Sequence, residues 1–189
     1  PGMYDWTRPD QVLARFEQAG IQWFPVLSFG ASGAENREPT SGSADIDRFA
    51  EFIHQAVSRY RERLPFWELW IEPPLSQDSD QIPDPDHQFA VLQVASQAAW
   101  RADPGVRLSM AVAVPVSATG RRSLERLFQH GALEHFDVLG YHYYRDSPPE
   151  QDLPAELALL RALMARYGTV KPVWITETGV SSGVPPDAA

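Results

Sequence analysis

The feature that most constrains the fold is a regular alternation of amphipathic and apolar segments along all 189 residues. The amphipathic segments repeat apolar side chains at helical spacing, whereas the apolar segments are short, β-rich and bounded by glycine, proline or polar residues. The predicted helices are 7 to 19, 45 to 63, 85 to 102, 121 to 134 and 154 to 168. The predicted strands are 21 to 29, 65 to 72, 107 to 115, 137 to 144 and 171 to 178. Strands that alternate with helices indicate an α/β fold with a parallel sheet and right-handed crossovers.

Start and stop signals support these helices. Thr7 is the expected N-cap of the first helix, and Gly20 is its expected stop. Pro154 and Gly168 mark the two ends of the last helix in the same way. No linker or internal repeat divides the chain, so residues 1–189 are predicted to form a single domain.

Two architectures fit this pattern: an open doubly wound sheet and part of a (β/α) barrel. The strands are nearly continuous in apolar character, as is typical of a sheet covered on both faces. The loop "SFGASGAENRE" contains neither G-x-G-x-x-G nor G-K-[ST]. The absence of a phosphate-binding loop weakens the nucleotide-binding form of the open sheet.

Composition limits the partners. The net charge of −9 is spread along the chain, which argues against a nucleic-acid partner and favours a neutral or sugar-like ligand. The chain has no cysteine, so disulfides and thiolate metal sites are excluded, and we predict no cofactor and no metal. No apolar run approaches the roughly 20 residues that span a bilayer. The first residues, "PGMYDWTRPD", do not have the pattern of a signal peptide, so a cytoplasmic location is favoured.

Polar side chains gather where the predicted strands end. Glu72 ends the strand in "PFWELWIEPP" just before two prolines, and Glu177 ends the last strand in "TET". His142 and Tyr144 lie at the end of "GYHYY". Ligands of parallel α/β folds bind at this edge of the sheet. A pair of glutamates there suggests glycoside hydrolysis, which needs one protonated and one ionised carboxyl group.

The sequence segments around these residues resemble those of clan A glycoside hydrolases, the retaining TIM-barrel glycosidases. "WELWIEPP" resembles the clan's W-E-x-W-N-E-P segment, and "PVWITETGVSS" and "GYHYY" resemble its seventh and sixth strands. "YDWTRPDQVLARFEQAGIQWFPVLSFG" is similar to the second helix and third strand of the β-xylosidase and iduronidase family. The resemblance implies a partial TIM barrel whose five strands correspond to barrel strands three to seven.

The same resemblance implies roles for single residues. Glu72 would be the acid/base and Glu177 the nucleophile, with the two carboxyl groups about 5 Å apart. The expected substrate-binding residues are His142, Tyr144, Trp70 and Phe29. In the clan a tyrosine of the sixth strand steadies the nucleophile. By simple alternation Trp174 points away from Glu177, so it is predicted to be a core residue.

Two departures from the clan bear on activity. Ile71 stands where the clan has the asparagine that contacts the 2-hydroxyl group of the sugar. Barrel strands one, two and eight have no counterpart, and a whole barrel takes about 250 residues. The truncation leaves the strands at 21 to 29 and 171 to 178 as apolar edges. We therefore expect a homo-oligomer, a dimer or a tetramer, that covers them.

Three functions remain open at this point. The first is a retaining glycoside hydrolase that acts, weakly or fully, on β-linked sugars. The second is a non-catalytic remnant that binds carbohydrate or only assembles. The third is an unrelated doubly wound enzyme whose glutamates lie on the surface.

Overall fold

The computed structural model describes residues 4–28, 43–69, 85–112, 118–144 and 149–179. Its elements alternate throughout, with one helix in front of the first strand. The helices are α1 (Thr7–Gln18), α2 (Ser43–Tyr60), α3 (Pro85–Ala102), α4 (Ala118–Gln129) and α5 (Pro149–Ala165), and a 3-10 turn, Ala132–Glu134, follows α4. The strands are β1 (Val26–Leu27), β2 (Phe66–Leu69), β3 (Arg107–Val112), β4 (Val138–Tyr144) and β5 (Val173–Gly179).

All five strands form one parallel sheet in the order β1-β2-β3-β4-β5. Each strand therefore pairs with the next strand along the chain, and the order never reverses. A doubly wound sheet contains a switch point at which the order reverses, whereas a (β/α) barrel adds each new strand on the same side of the last. The observed order confirms the predicted α/β class and the partial barrel.

Some of the predicted strand and helix ends are wrong. Within the described residues of the strand predicted at 21 to 29, β1 covers Val26–Leu27, which pair with Glu68 and Leu69 at the end of β2. The last helix begins at Pro149, which takes the first helical position that suits proline, and Pro154 lies inside it.

The N-terminus of α1 also differs from the prediction. Thr7 is the first helical residue rather than the cap, and Trp6 in the cap position makes no side-chain cap bond. Asp5 Oδ1 accepts the Thr7 N–H at 2.9 Å instead. Hydrogen bonds from Thr7 lower the pKa of Asp5 below its usual range.

The hydrophobic core lies between the helices and the outer, convex face of the sheet. Trp67 and Leu69 of β2 and Tyr141 and Tyr143 of β4 are all buried there. α2 packs against α3, and α3 packs against α4, so the helical layer follows the order of the strands. None of the helices in the described part of the chain is long and apolar enough to cross a lipid bilayer.

The inner face of the sheet is concave, and aromatic rings meet across it. The ring of Trp174 on β5 lies 5.4 Å from the ring of Phe66 on β2 and 5.9 Å from the ring of Phe24, two residues before β1. Side chains of the first, second and last strand segments can approach in this way only if the sheet curves like a barrel wall. Trp174 is nonetheless 40% exposed, so the prediction of a core residue is wrong.

Candidate active site

Strand β4 supplies two of the predicted site residues through simple alternation. Tyr141 and Tyr143 point into the outer core, where the Tyr141 hydroxyl donates to buried Glu156 of α5. Successive side chains of a strand point to opposite faces, so His142 and Tyr144 are directed to the inner face. His142 is buried and Tyr144 is exposed at the end of the strand.

Strand β5 brings Glu177 to the same place by breaking the alternation. Tyr141 pairs with Ile175, but the next residue, His142, pairs with Glu177, so β5 has one extra residue at this point. Such a bulge redirects the side chains that follow it, and bulges are common beside active sites. Trp174 can therefore face the interior two residues before the bulge while Glu177 faces His142 after it. For this reason, the prediction that assumed strict alternation back from Glu177 put Trp174 on the wrong face of the sheet.

The Glu177 carboxylate is held at one oxygen. The Tyr144 hydroxyl donates to Glu177 Oε2 at 3.1 Å, and His142 Nδ1 lies 3.6 Å from the same oxygen. The Glu177 side chain is 41% exposed, whereas the His142 side chain is fully buried. The site thus contains a carboxylate that is accessible to solvent and is contacted by Tyr144 and by the buried His142.

Sequence reasoning missed a second carboxylate, Glu68 of β2, which is 1% exposed. Ser109 Oγ of β3 donates to Glu68 Oε2 at 2.9 Å, and His142 Nε2 lies 3.4 Å from Glu68 Oε1. A signal was present in the sequence: Glu68 interrupts the apolar strand predicted at 65 to 72, four residues before Glu72, a spacing that predicts the same face for both.

Gly140 makes room for this buried carboxylate. A Cβ at this position would lie 2.6 Å from Ser109 Oγ and 3.0 Å from Thr176 Oγ1, and it would overlap Glu68 Oε2. Real Cβ atoms essentially never approach other atoms more closely than 3.0 Å. The space in which Glu68, Ser109 and Thr176 meet therefore depends on a residue without a side chain.

Three of these residues have the donor types of a metal site. Glu68, His142 and Glu177 can each offer one atom so that all three atoms lie within 4.8 Å of one another. However, the two carboxylates face different nitrogens of His142, Nε2 and Nδ1 respectively. Imidazole binds a metal through one nitrogen and donates from the other, so this arrangement favours a hydrogen-bonded chain.

The remaining predicted residues lie outside the described residues. These are the acid/base candidate Glu72 and the substrate-binding candidates Trp70 and Phe29, together with Ile71. The separation of the carboxyl groups of Glu72 and Glu177 therefore stays a prediction. The structure brings together His142, Tyr144 and Glu177, and adds Glu68 and Ser109 to them.

Comparison with solved structures identifies the fold. A glucosidase from Croceicoccus marinus has a TM-score of 0.73 at 18% identity over 97% of this chain. Xylanase B from Clostridium stercorarium F9 has a TM-score of 0.68 at 18% identity over 100% of this chain. A GH10 xylanase from Thermobacillus composti has a TM-score of 0.63, again at 18% identity and over 100% of this chain. The chain shares with these proteins the fold of part of a (β/α) barrel.

The chain contains only part of that barrel. It spans 40% of the glucosidase, 57% of the Thermobacillus composti xylanase and 62% of xylanase B. No protein-family model and no curated protein sequence matches it. The barrel fold is thus shared at low sequence identity, and the chemistry has to be argued from the side chains.

Proposed function

We propose that this chain carries the catalytic half of a retaining glycoside hydrolase that acts on β-linked sugars. The observation that carries the proposal is the position of Glu177, an accessible carboxylate at the carboxyl end of β5 that receives a hydrogen bond from Tyr144. Active sites of barrels lie at this end of the strands. The structural likeness to a glucosidase and to xylanases supports the same class of chemistry.

In the proposed reaction, Glu177 is the nucleophile and Glu72 is the acid/base. Both described contacts of the Glu177 carboxylate engage Oε2, so we assign Oε1 as the attacking atom. Oε1 forms a bond to the anomeric carbon while the bond to the leaving oxygen breaks, and that oxygen takes the Glu72 proton. Glu72 then takes a proton from water, whose oxygen attacks the anomeric carbon and releases Glu177.

The test is a panel of aryl β-glycosides, assayed with the wild-type chain and with Glu72→Gln. Glutamine cannot donate a proton, so hydrolysis of phenyl glycosides is expected to fall on the order of 100-fold or more. Dinitrophenyl glycosides should be affected much less in the bond-breaking step, because their leaving group needs little protonation. Equal losses on both leaving groups would contradict the role of Glu72.

A second function rests on Ile71, at the position where the clan has an asparagine. An isoleucine cannot hydrogen-bond the 2-hydroxyl group, a contact worth several kcal/mol in glycosidase transition states. A non-catalytic chain would bind oligosaccharides in calorimetry, and the wild type would hydrolyse no member of the panel. That pair of results would replace the enzymatic proposal by a carbohydrate-binding one.

We also propose that copies of the chain associate through the sheet edges. Ile21 and Val26 near one edge and Trp174 and Ile175 at the other are 39–53% exposed. Beside Trp174 lies an open cavity of about 360 Å³, lined in part by Ile21, Trp23, Phe24 and Phe66. Burying a large apolar side chain gains about 1.5–3 kcal/mol, so covering these residues favours association.

Light scattering at micromolar concentration is therefore expected to give at least twice the 21.2 kDa chain mass. The variants Val26→Glu and Ile175→Glu place a charge on each edge and should shift the mass towards the monomer. Ala155→Glu, an exposed position on α5, is the matched control and should leave the mass unchanged. A wild-type monomer under these conditions would refute association.

A further inference from the structure

The inference concerns Glu68, a carboxylate that the proposed reaction does not use. Transfer of a charged carboxylate from water into a protein interior is unfavourable unless hydrogen bonds and an opposite charge compensate. Glu68 has a different partner for each oxygen: Ser109 Oγ at Oε2 and His142 Nε2 at Oε1. These two contacts fix the plane of the carboxylate and also its orientation towards His142.

His142 joins this buried carboxylate to the accessible one. Its Nε2 faces Glu68 Oε1 at 3.4 Å, and its Nδ1 faces Glu177 Oε2 at 3.6 Å. A neutral imidazole has a single N–H, so its other nitrogen would direct a lone pair at the carboxylate of Glu68 or Glu177, which is repulsive. An imidazolium has two N–H donors, one for each, and reduces the charge of the cluster from −2 to −1.

We propose that Glu68 is a positioning residue that holds His142 as an imidazolium whose Nδ1–H is directed at Glu177 Oε2. The inference rests on the proposed function, in which Glu177 is the nucleophile. Among the described residues, polar side chains of four strands meet at this cluster: Glu68 (β2), Ser109 (β3), His142 and Tyr144 (β4), and Thr176 and Glu177 (β5).

The consequence for catalysis is that one oxygen of Glu177 accepts a hydrogen bond from Tyr144 and faces the positive charge of His142, whose Nδ1 lies 3.6 Å away. The carboxylate then cannot rotate freely, and Oε1 is presented in a constant direction. Precise orientation of a reacting group lowers the barrier without any direct contact between the positioning residue and the substrate. Glu68 acts in this way through His142.

The experiment compares the wild type with Glu68→Gln and with a matched control, Glu156→Gln. Glu156 is also a buried glutamate that is hydrogen-bonded to a side chain of β4, but it lies on the outer side of the sheet. The nitrogen-15 resonances of the imidazole nitrogens report the protonation of His142, assigned by their loss in His142→Asn. At neutral pH we expect both nitrogens to carry a proton in the wild type and in Glu156→Gln, and only one in Glu68→Gln.

Activity provides a separate readout. Glu68→Gln should lower kcat about tenfold or more, because His142 and through it Glu177 lose their fixed orientation, and change KM less than about threefold. Glu156→Gln should stay within about threefold of the wild type in both. An imidazole result as expected, with no hydrolysis by the wild type, would refute the proposed function but would still show that Glu68 holds His142 as an imidazolium.

Three results would overturn the inference: a neutral His142 in the wild type, an imidazolium that persists in Glu68→Gln, or His142 resonances that change after treatment with EDTA. The last would mean that a metal ion joins the three residues. If Glu68→Gln does not fold, Ser109→Ala supplies the test. This substitution removes the donor to Glu68 Oε2 and should shift the Nε2–H resonance of His142, and no shift would count against the inference.

Discussion

Replacement of Glu177 by glutamine is expected to lower kcat/KM on β-glycosides by on the order of 10⁴-fold or more. The amide is nearly isosteric with the carboxylate and keeps an oxygen that can accept the Tyr144 O–H bond. It cannot form the glycosyl ester on which the second half of the reaction depends. Steady-state kinetics on an activated aryl glycoside measure the loss, and circular dichroism confirms that the fold is retained.

The control for this prediction is Glu62→Gln, the same chemical change at an exposed position after α2. It should leave kcat/KM unchanged. Addition of azide to Glu177→Ala should restore turnover and yield the α-glycosyl azide, because a small anion in the vacated space attacks from the face opposite the leaving group. Retention of wild-type activity in Glu177→Gln would exclude Glu177 as the nucleophile.

Gly140→Ala is expected to lower the free energy of unfolding by about 2 kcal/mol and Tm by roughly 4–8 °C. The added methyl group would overlap Glu68 Oε2 and crowd Ser109 Oγ and Thr176 Oγ1. The end of the glutamate side chain can move, but movement separates a buried carboxylate from its hydrogen-bond partners. Thermal unfolding measures the change.

Gly105→Ala is the matched control for this substitution. Its new Cβ would meet Asp103 Oδ1 at 3.4 Å, an ordinary contact, so stability should change by less than about 0.5 kcal/mol. In a Glu68→Ala background, Gly140→Ala should become less destabilising, because the carboxylate that it displaces is absent. An undiminished loss in that background would mean that the strain arises elsewhere.

The elements of the fold could be predicted because their sequence signals are local. The helix predicted at 85 to 102 is α3 (Pro85–Ala102) without any change of bounds, and β4 begins one residue from its predicted start. Both segments have the periodicity of one secondary structure along their whole length. At β1, by contrast, strand composition extends further than the pairing, because the partner strand decides where a ladder ends.

The candidate site residues His142, Tyr144 and Glu177 were predicted from their places at strand ends and from the resemblance. How their side chains are oriented follows from alternation in β4 but not in β5. The bulge opposite His142 has no signature in "VWITET", so the orientation of Trp174 could not be predicted. Glu68 was missed for another reason: a single glutamate in an apolar strand acquires its meaning from Ser109 and His142, which lie on other strands.

The contact of Trp174 with Phe24 and Phe66 has a mechanical consequence. β1 and β5 are the two ends of the strand order, so the rings bridge the curved sheet where backbone pairing does not. Ring contacts are less directional than hydrogen bonds and allow the rings to slide past each other. The curvature of the sheet, which depends on ring contacts, is therefore restrained less tightly than the spacing of its strands, which depends on hydrogen bonds. Glu177 is on β5 and Glu68 is on β2. Small changes in curvature would therefore alter the distance between these two carboxylates.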